Sequence, residues 1–195
     1  MIISYTHKIC ILEKPKCATT AIRSLLSKPK NNQKLGKSFI NNKTITSRHF
    51  NYYDFNYRHV NLNGAIYFLR HNGIVPESYT FVCVIRDPID LFKSLFFFDL
   101  NRQNHFHIYS TPETLRQTPH YFQFTDAVFF NNYQNFNMKF FRLEEINKFE
   151  QFLQTYDITE SLPKYNQGKN KKELYLSDAL IQDIRKDFYI YDKIF

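Results

Sequence analysis

Apolar positions along this chain fall into two kinds of run, unbroken short stretches and stretches with a helical period. "KICILEK" (8–14) is a short apolar run bounded by lysines and is predicted to be a strand. After a short polar turn, "AIRSLLSK" (21–28) sets Ile22, Leu25 and Leu26 on one helical face. The same order recurs further on. "YTFVCVIR" (79–86) is the strongest strand signal, apolar throughout, as in a sheet covered on both faces. "DPIDLFKSLFFF" (87–98) follows as a helix, with Asp87 as its N-cap and Pro88 in the first helical position. "LNGAIYFLR" (62–70) and residues 120–135 read as helical, and "NMKFFRL" (137–143) as a third buried strand. "EEINKFEQFLQTY" (144–156) is an amphipathic helix with Ile146, Phe149, Phe152 and Leu153 on one face. Ser177 caps a last helix that carries Leu180, Ile181, Ile184 and Phe188. Residues 28–47, with Asn31, Asn32, Asn41 and Asn42, are polar and read as a loop or irregular segment. Strands alternating with helices predict an α/β domain over residues 1–195, with a central, mainly parallel sheet and no linker that divides it.

Composition changes this picture in four ways. Aromatics make up 18% of the 195 residues, with 21 Phe and 14 Tyr but no Trp, so the core is expected to be aromatic. Four glycines are too few for a glycine-rich phosphate loop. "LGKS" (35–38) imitates the end of one, but Asn31 stands where a Walker A loop needs its first glycine. The formal charge of +8 points to an anionic ligand, while the scatter of basic residues, apart from "GKNKK" (168–172), disfavours a nucleic-acid arm. The three cysteines have no disulfide or zinc spacing, and Cys10 and Cys83 read as core thiols, which fits a reducing, cytoplasmic setting. The run "MIISYTHKICILEKPK" is too short and too polar for a signal peptide or a membrane span.

Candidate chemistry lies at the two strand–helix junctions. Ligands of a parallel sheet bind beyond the carboxyl ends of its strands, which is where "EKPKCATTA" falls. The start of the following helix offers free N–H groups and a positive dipole end, to which Thr19 and Thr20 add hydroxyls and Lys16 a cation. An ordinary turn with an exposed lysine and a threonine cap fits this segment equally well. In "VIRDPIDLFKS", Arg86 ends the strong strand and Ser94 follows eight residues later. Ser94 is seven residues beyond Asp87, about 20° away around a helix, and so looks back toward the strand end. A guanidinium and a hydroxyl converging there suit a second phosphate. The ordinary alternative pairs Arg86 with Asp87 or Asp90.

These two motifs, in this order, resemble those of PAPS-dependent sulfotransferases of the carbohydrate, Golgi-type branch. "KPKCATTAI" is similar to the loop that holds the 5′-phosphosulfate in that family. Pro15, Lys16, Thr19 and Thr20 match it, whereas Ala18 replaces the usual glycine and Ala21 the usual third hydroxyl. "VIRDPIDLFKS" is similar to the family's 3′-phosphate motif, with Arg86 and Ser94 at its spacing. "RHVNLNGAIYFLR", "PHYFQF", "FRLEEINKFEQFLQTYDI" and the segment from "YNQGKNKK" onward also resemble family counterparts, so the likeness spans nearly the whole chain.

The resemblance implies a three-layer, P-loop-like fold and the donor 3′-phosphoadenosine 5′-phosphosulfate (PAPS), with adenosine 3′,5′-bisphosphate as product. It implies that Lys16 neutralises charge on the leaving phosphate and that Cys17, Ala18, Thr19, Thr20 and Ala21 hold the 5′-phosphate. Arg86 and Ser94 would hold the 3′-phosphate, and Gly168, Lys169, Lys171 and Lys172 would close over the nucleotide. His59 is the first choice as general base, with His120 the runner-up for catalysis or for acceptor contact and Asp54 a further carboxylate choice. No metal is needed, and His105 and His107 in "HFH" read as exposed. The expected acceptor is a small molecule or glycan shaped by loops 28–58 and 99–120, with no nucleic acid and no membrane span. Other classes remain open: a nucleotide kinase-like P-loop enzyme, a basic nucleic-acid-binding protein with a steep salt dependence, or a sulfotransferase fold that binds without catalysing.

Overall fold

The structure, a computed structural model, describes residues 1–36, 38–40, 59–100, 111–164 and 173–195. Its sheet is built from β1 (Ile2–Ser4), β2 (Ile9–Leu12), β3 (Ser38–Ile40), β4 (Thr80–Ile85) and β5 (Asn137–Arg142), in the order β3-β1-β2-β4-β5. β2, β4 and β5 run parallel, with Leu12 beside Cys83 and Ile85 beside Arg142. β1 pairs antiparallel with both β2 and β3. The chain is therefore mixed α/β, with parallel strands at the heart of the sheet and an antiparallel margin that the sequence pattern did not predict. A parallel pair needs a crossover. Between β2 and β4 lie α1 (Thr19–Leu26), α2 (Pro29–Lys34) and α3 (Leu62–His71). Between β4 and β5 lie α4 (Pro88–Leu100), α5 (Pro112–Arg116), α6 (Pro119–Phe122) and α7 (Asp126–Phe129). α8 (Ile146–Gln154), α9 (Asp178–Asp187) and α10 (Tyr189–Ile194) follow β5.

Phe81 to Ile85 of β4 are all buried, which is why that strand reads as an unbroken apolar run. β5 is less buried than its sequence predicts, because it is an edge strand with Asn137 and Lys139 exposed. A lysine at a free edge discourages pairing with another chain. Helical segments still cover both faces of this strand. Phe140 packs on Phe130 and Tyr133, while Phe141 packs on Phe149 and Phe152 of α8. The core is aromatic as the composition predicts, with Phe81, Phe92, Tyr121, Phe129, Phe130, Phe149 and Phe188 fully buried. Cys10, Cys17 and Cys83 are buried free thiols. No helix among the described residues is long and apolar enough to cross a membrane.

Two local expectations need correction, and a third is supported. Residues 28–47 are not simply a loop, since α2 and β3 lie within them. Pro29 opens α2, and the buried Asn31 donates from Nδ2 to the Leu25 carbonyl at 3.0 Å, so an asparagine-rich stretch is structured by satisfying one amide inside. Residues 120–135 form α6, α7 and a 3₁₀ turn (Tyr133–Asn135) rather than one helix; the last is preceded by Asn132 at φ 60°, a conformation that breaks helical continuation. The "LGKS" segment leads into a strand, and a Cβ at Gly36 (φ 66°) would collide with Thr6. A phosphate loop opens a helix, so this segment has the wrong successor as well as the wrong spacing.

Candidate anion-binding site

The turn between β2 and α1 has an unusual backbone. Lys16 (φ 61°) and Ala18 (φ 57°) are both left-handed, with Cys17 between them. Alanine thus occupies a conformation that glycine adopts freely, at a cost of about 1–2 kcal/mol. Ala18 is also the N-cap of α1, and no side chain caps this helix. The Thr19 and Thr20 hydroxyls have no hydrogen-bond partner among the described residues, and Thr20 is exposed. An uncapped helix start leaves backbone N–H groups without side-chain acceptors, and such groups are suited to an anion. Ala18→Gly should raise stability by about 0.5–1 kcal/mol, as read from the urea midpoint, because relief of the left-handed alanine outweighs the added freedom of the unfolded chain.

Cys17 contributes its backbone rather than its sulfur. Burial pushes the thiol up to about 12, against the smaller opposing pull of the Lys14 and Arg86 charges. Leu12 and Cys83 are register partners on parallel strands, so the turn after β2 and the turn after β4 emerge side by side. Arg86 sits at the second of these, its guanidinium 3.7 Å from the exposed Asp90 carboxylate. That pair is the ordinary alternative foreseen from the sequence, and at the surface it contributes at most about 1 kcal/mol. Ser94 is half-buried on α4, one turn before Phe98. The Lys16 ammonium lies 4.2 Å from the centroid of the Phe98 ring, so α4 touches the first turn directly.

The start of α4 differs from that of α1. Asp87 Oδ1 accepts from the Ile89 and Asp90 amides at 2.9 and 3.1 Å, and Glu144 Oε1 accepts from the Asp87 amide at 3.0 Å. The start of α1 has no side-chain cap, whereas the start of α4 is closed by carboxylates.

No family model, curated protein or solved structure matches this chain. Its site rests on its own residues.

Both candidate histidines pack edge-on against Phe124, with ring centroids 6.1 Å away for His59 and 5.2 Å for His120. His59 Nδ1 is 2.7 Å from the Glu13 carbonyl. A carbonyl only accepts, so Nδ1 carries the proton and Nε2 the lone pair. Burial lowers the His59 pKa and favours the neutral ring. His120 is arranged the other way: Gln123 Nε2 donates to its Nδ1 at 3.1 Å, so a neutral His120 presents an N–H at Nε2. His59 is thus set up to accept a proton and His120 to donate a hydrogen bond.

Several groups at the site carry no signal that the sequence reading used. Glu13 is buried and takes Arg23 through both oxygens, as well as the Met1 ammonium. Lys14 is buried and paired with Asp126, which also accepts the Ile190 amide at 2.7 Å. A pocket of about 200 Å³ lies along α1, lined by Glu13, Thr19, Thr20, Arg23 and Ser24. Two adjacent charges ending an apolar run, as in "ILEK", were the available hint, because strands seldom bury such a pair without partners. Among the described residues no cluster of three His, Cys, Asp or Glu could hold a metal ion. Asp54, His105, His107, Gly168, Lys169, Lys171 and Lys172 lie outside the described residues.

Proposed function

We propose that this protein is a sulfotransferase of P-loop-like, three-layer fold that moves the sulfuryl group of PAPS to a hydroxyl or amine of an acceptor, a carbohydrate or glycolipid. One observation carries the reading. An uncapped helix start behind two left-handed turn residues, and Arg86 with Ser94 on the helix that follows it, stand beyond the carboxyl ends of two neighbouring parallel strands. Two anion-binding elements of different make suit a nucleotide with separate 5′ and 3′ phosphates. A single γ-phosphate loop would need neither the second element nor this scarcity of glycine.

In this reading the amides from Cys17 to Ala21, with the Thr19 and Thr20 hydroxyls, hold the 5′-phosphate. Arg86 and Ser94 hold the 3′-phosphate. The acceptor oxygen attacks sulfur in line, its proton passes to His59 Nε2, and the bond from sulfur to the 5′-phosphate oxygen breaks. Adenosine 3′,5′-bisphosphate leaves with the bonding electrons, and Lys16 offsets that charge. His120, donating from Nε2, orients the acceptor.

Calorimetric titration with adenosine 3′,5′-bisphosphate tests the donor site. Wild type is expected to bind in the micromolar range, and Arg86→Ala to bind roughly 10- to 100-fold more weakly through loss of a charge-assisted hydrogen bond. A wild type that ignores this nucleotide and binds ATP or RNA instead would sink the reading.

A further inference from the structure

The turn that carries Arg86 is held from outside its own strand. Glu144, in the turn after β5, accepts the Asp87 amide through Oε1 at 3.0 Å, and the Tyr191 hydroxyl donates to Glu144 Oε2 at 3.3 Å. Asp87 directly follows Arg86, so the first of these bonds orients the peptide that joins them. Tyr191 is steadied in turn by the Arg142 guanidinium, 5.2 Å from its ring centroid. The Asp87 carboxylate is occupied as well. Oδ1 caps α4, and Oδ2 faces Arg185 at 3.7 Å. Arg185 is itself held by Asp192, at 2.8 and 3.0 Å. Among the described residues Arg86 reaches only Asp90, an exposed and distant partner that a phosphate can displace.

We infer that Glu144 is a positioning residue for the second anion of the site: it aims Arg86 through the Asp87 amide and closes the amide end of α4. The 3′-phosphate is then recognised by the Arg86 and Ser94 side chains, and the protein prefers a nucleotide phosphorylated at both ends over a 5′-monophosphate. This inference rests on the donor reading above. A carboxylate that merely tied two surface turns together would serve stability and would not favour one nucleotide over another.

Two nucleotides separate these roles. Adenosine 3′,5′-bisphosphate and adenosine 5′-monophosphate are titrated into wild type, Glu144→Ala and Glu144→Gln, with thermal midpoints recorded alongside. Glu144→Ala should weaken the bisphosphate about tenfold while the monophosphate stays within about twofold, since only the 3′ contact is misaimed. Glu144→Gln keeps an acceptor oxygen for the Asp87 amide and should restore most of the bisphosphate affinity. Equal weakening of both nucleotides in Glu144→Ala, or no change in either, overturns the inference. If wild type itself binds the two equally, the donor reading fails and takes the inference with it. A wild-type preference that persists in Glu144→Ala overturns the inference alone.

Discussion

Lys16→Ala is expected to slow the proposed sulfuryl transfer about 10²- to 10³-fold, the usual loss when one preorganised donor to a developing charge is removed. In that proposed reaction the leaving group is a phosphate whose bridging oxygen gains charge as the bond to sulfur breaks. A cation placed there counts for more in the transition state than in the ground state, so its removal affects rate more than binding. Lys16 is half-buried, and its ammonium rests over the Phe98 ring at 4.2 Å. A cation–π contact of that kind contributes about 0.5–2 kcal/mol. Formation of adenosine 3′,5′-bisphosphate from PAPS is the readout, with water as acceptor until the acceptor hydroxyl is known. Binding of the bisphosphate, followed separately, should change only a few-fold. An unaltered rate of product formation would remove Lys16 from the chemistry.

Asp126→Ala should destabilise the protein by about 3–5 kcal/mol, a large share of the roughly 5–15 kcal/mol that holds a domain folded. Lys14 and Asp126 are each 2% exposed, and the ammonium sits 4.8 Å from the centroids of both Phe130 and Phe188. Without the carboxylate a buried cation loses its counter-charge, and the Ile190 amide loses the acceptor now 2.7 Å away. Two separate parts of the chain, the turn before α1 and the start of α10, would lose their common anchor. Asp126→Asn keeps an oxygen for the Ile190 amide and should lose less. Joint replacement by Lys14→Met and Asp126→Leu should recover part of the loss, since a well-packed apolar pair avoids the desolvation cost. Urea midpoints compare all three, and a loss below about 1 kcal/mol for Asp126→Ala would mean that the buried pair contributes little.

The contrast between Ala18 and Lys14 explains what could be read in advance. Ala18 departs from the family motif at one local position, and its left-handed conformation is equally local. The partner of Lys14 is 112 residues away, and no pattern near either residue announces the other. The same holds for Glu144 and Asp87, joined across 57 residues, and for Phe124, which gathers His59 and His120.

β2, β4, α4 and the Ser177 cap, which accepts the Leu180 amide at 3.3 Å, were legible because burial on a strand or a helix face leaves a period in the sequence. The candidate residues of each turn, Lys16, Thr19 and Thr20 in one and Arg86 and Ser94 in the other, could be singled out as well, because each set lies within one short segment. β1 and β3 left no such mark: with three residues each, they are too short to hold a period, and their pairing with each other and with β2 depends on the assembled sheet. Tertiary structure alone brought the two turns side by side, opened one helix start and closed the other, and gave each histidine its tautomer. These outcomes depend on strand register and on hydrogen bonds between distant segments, and those are satisfied only once the chain has packed.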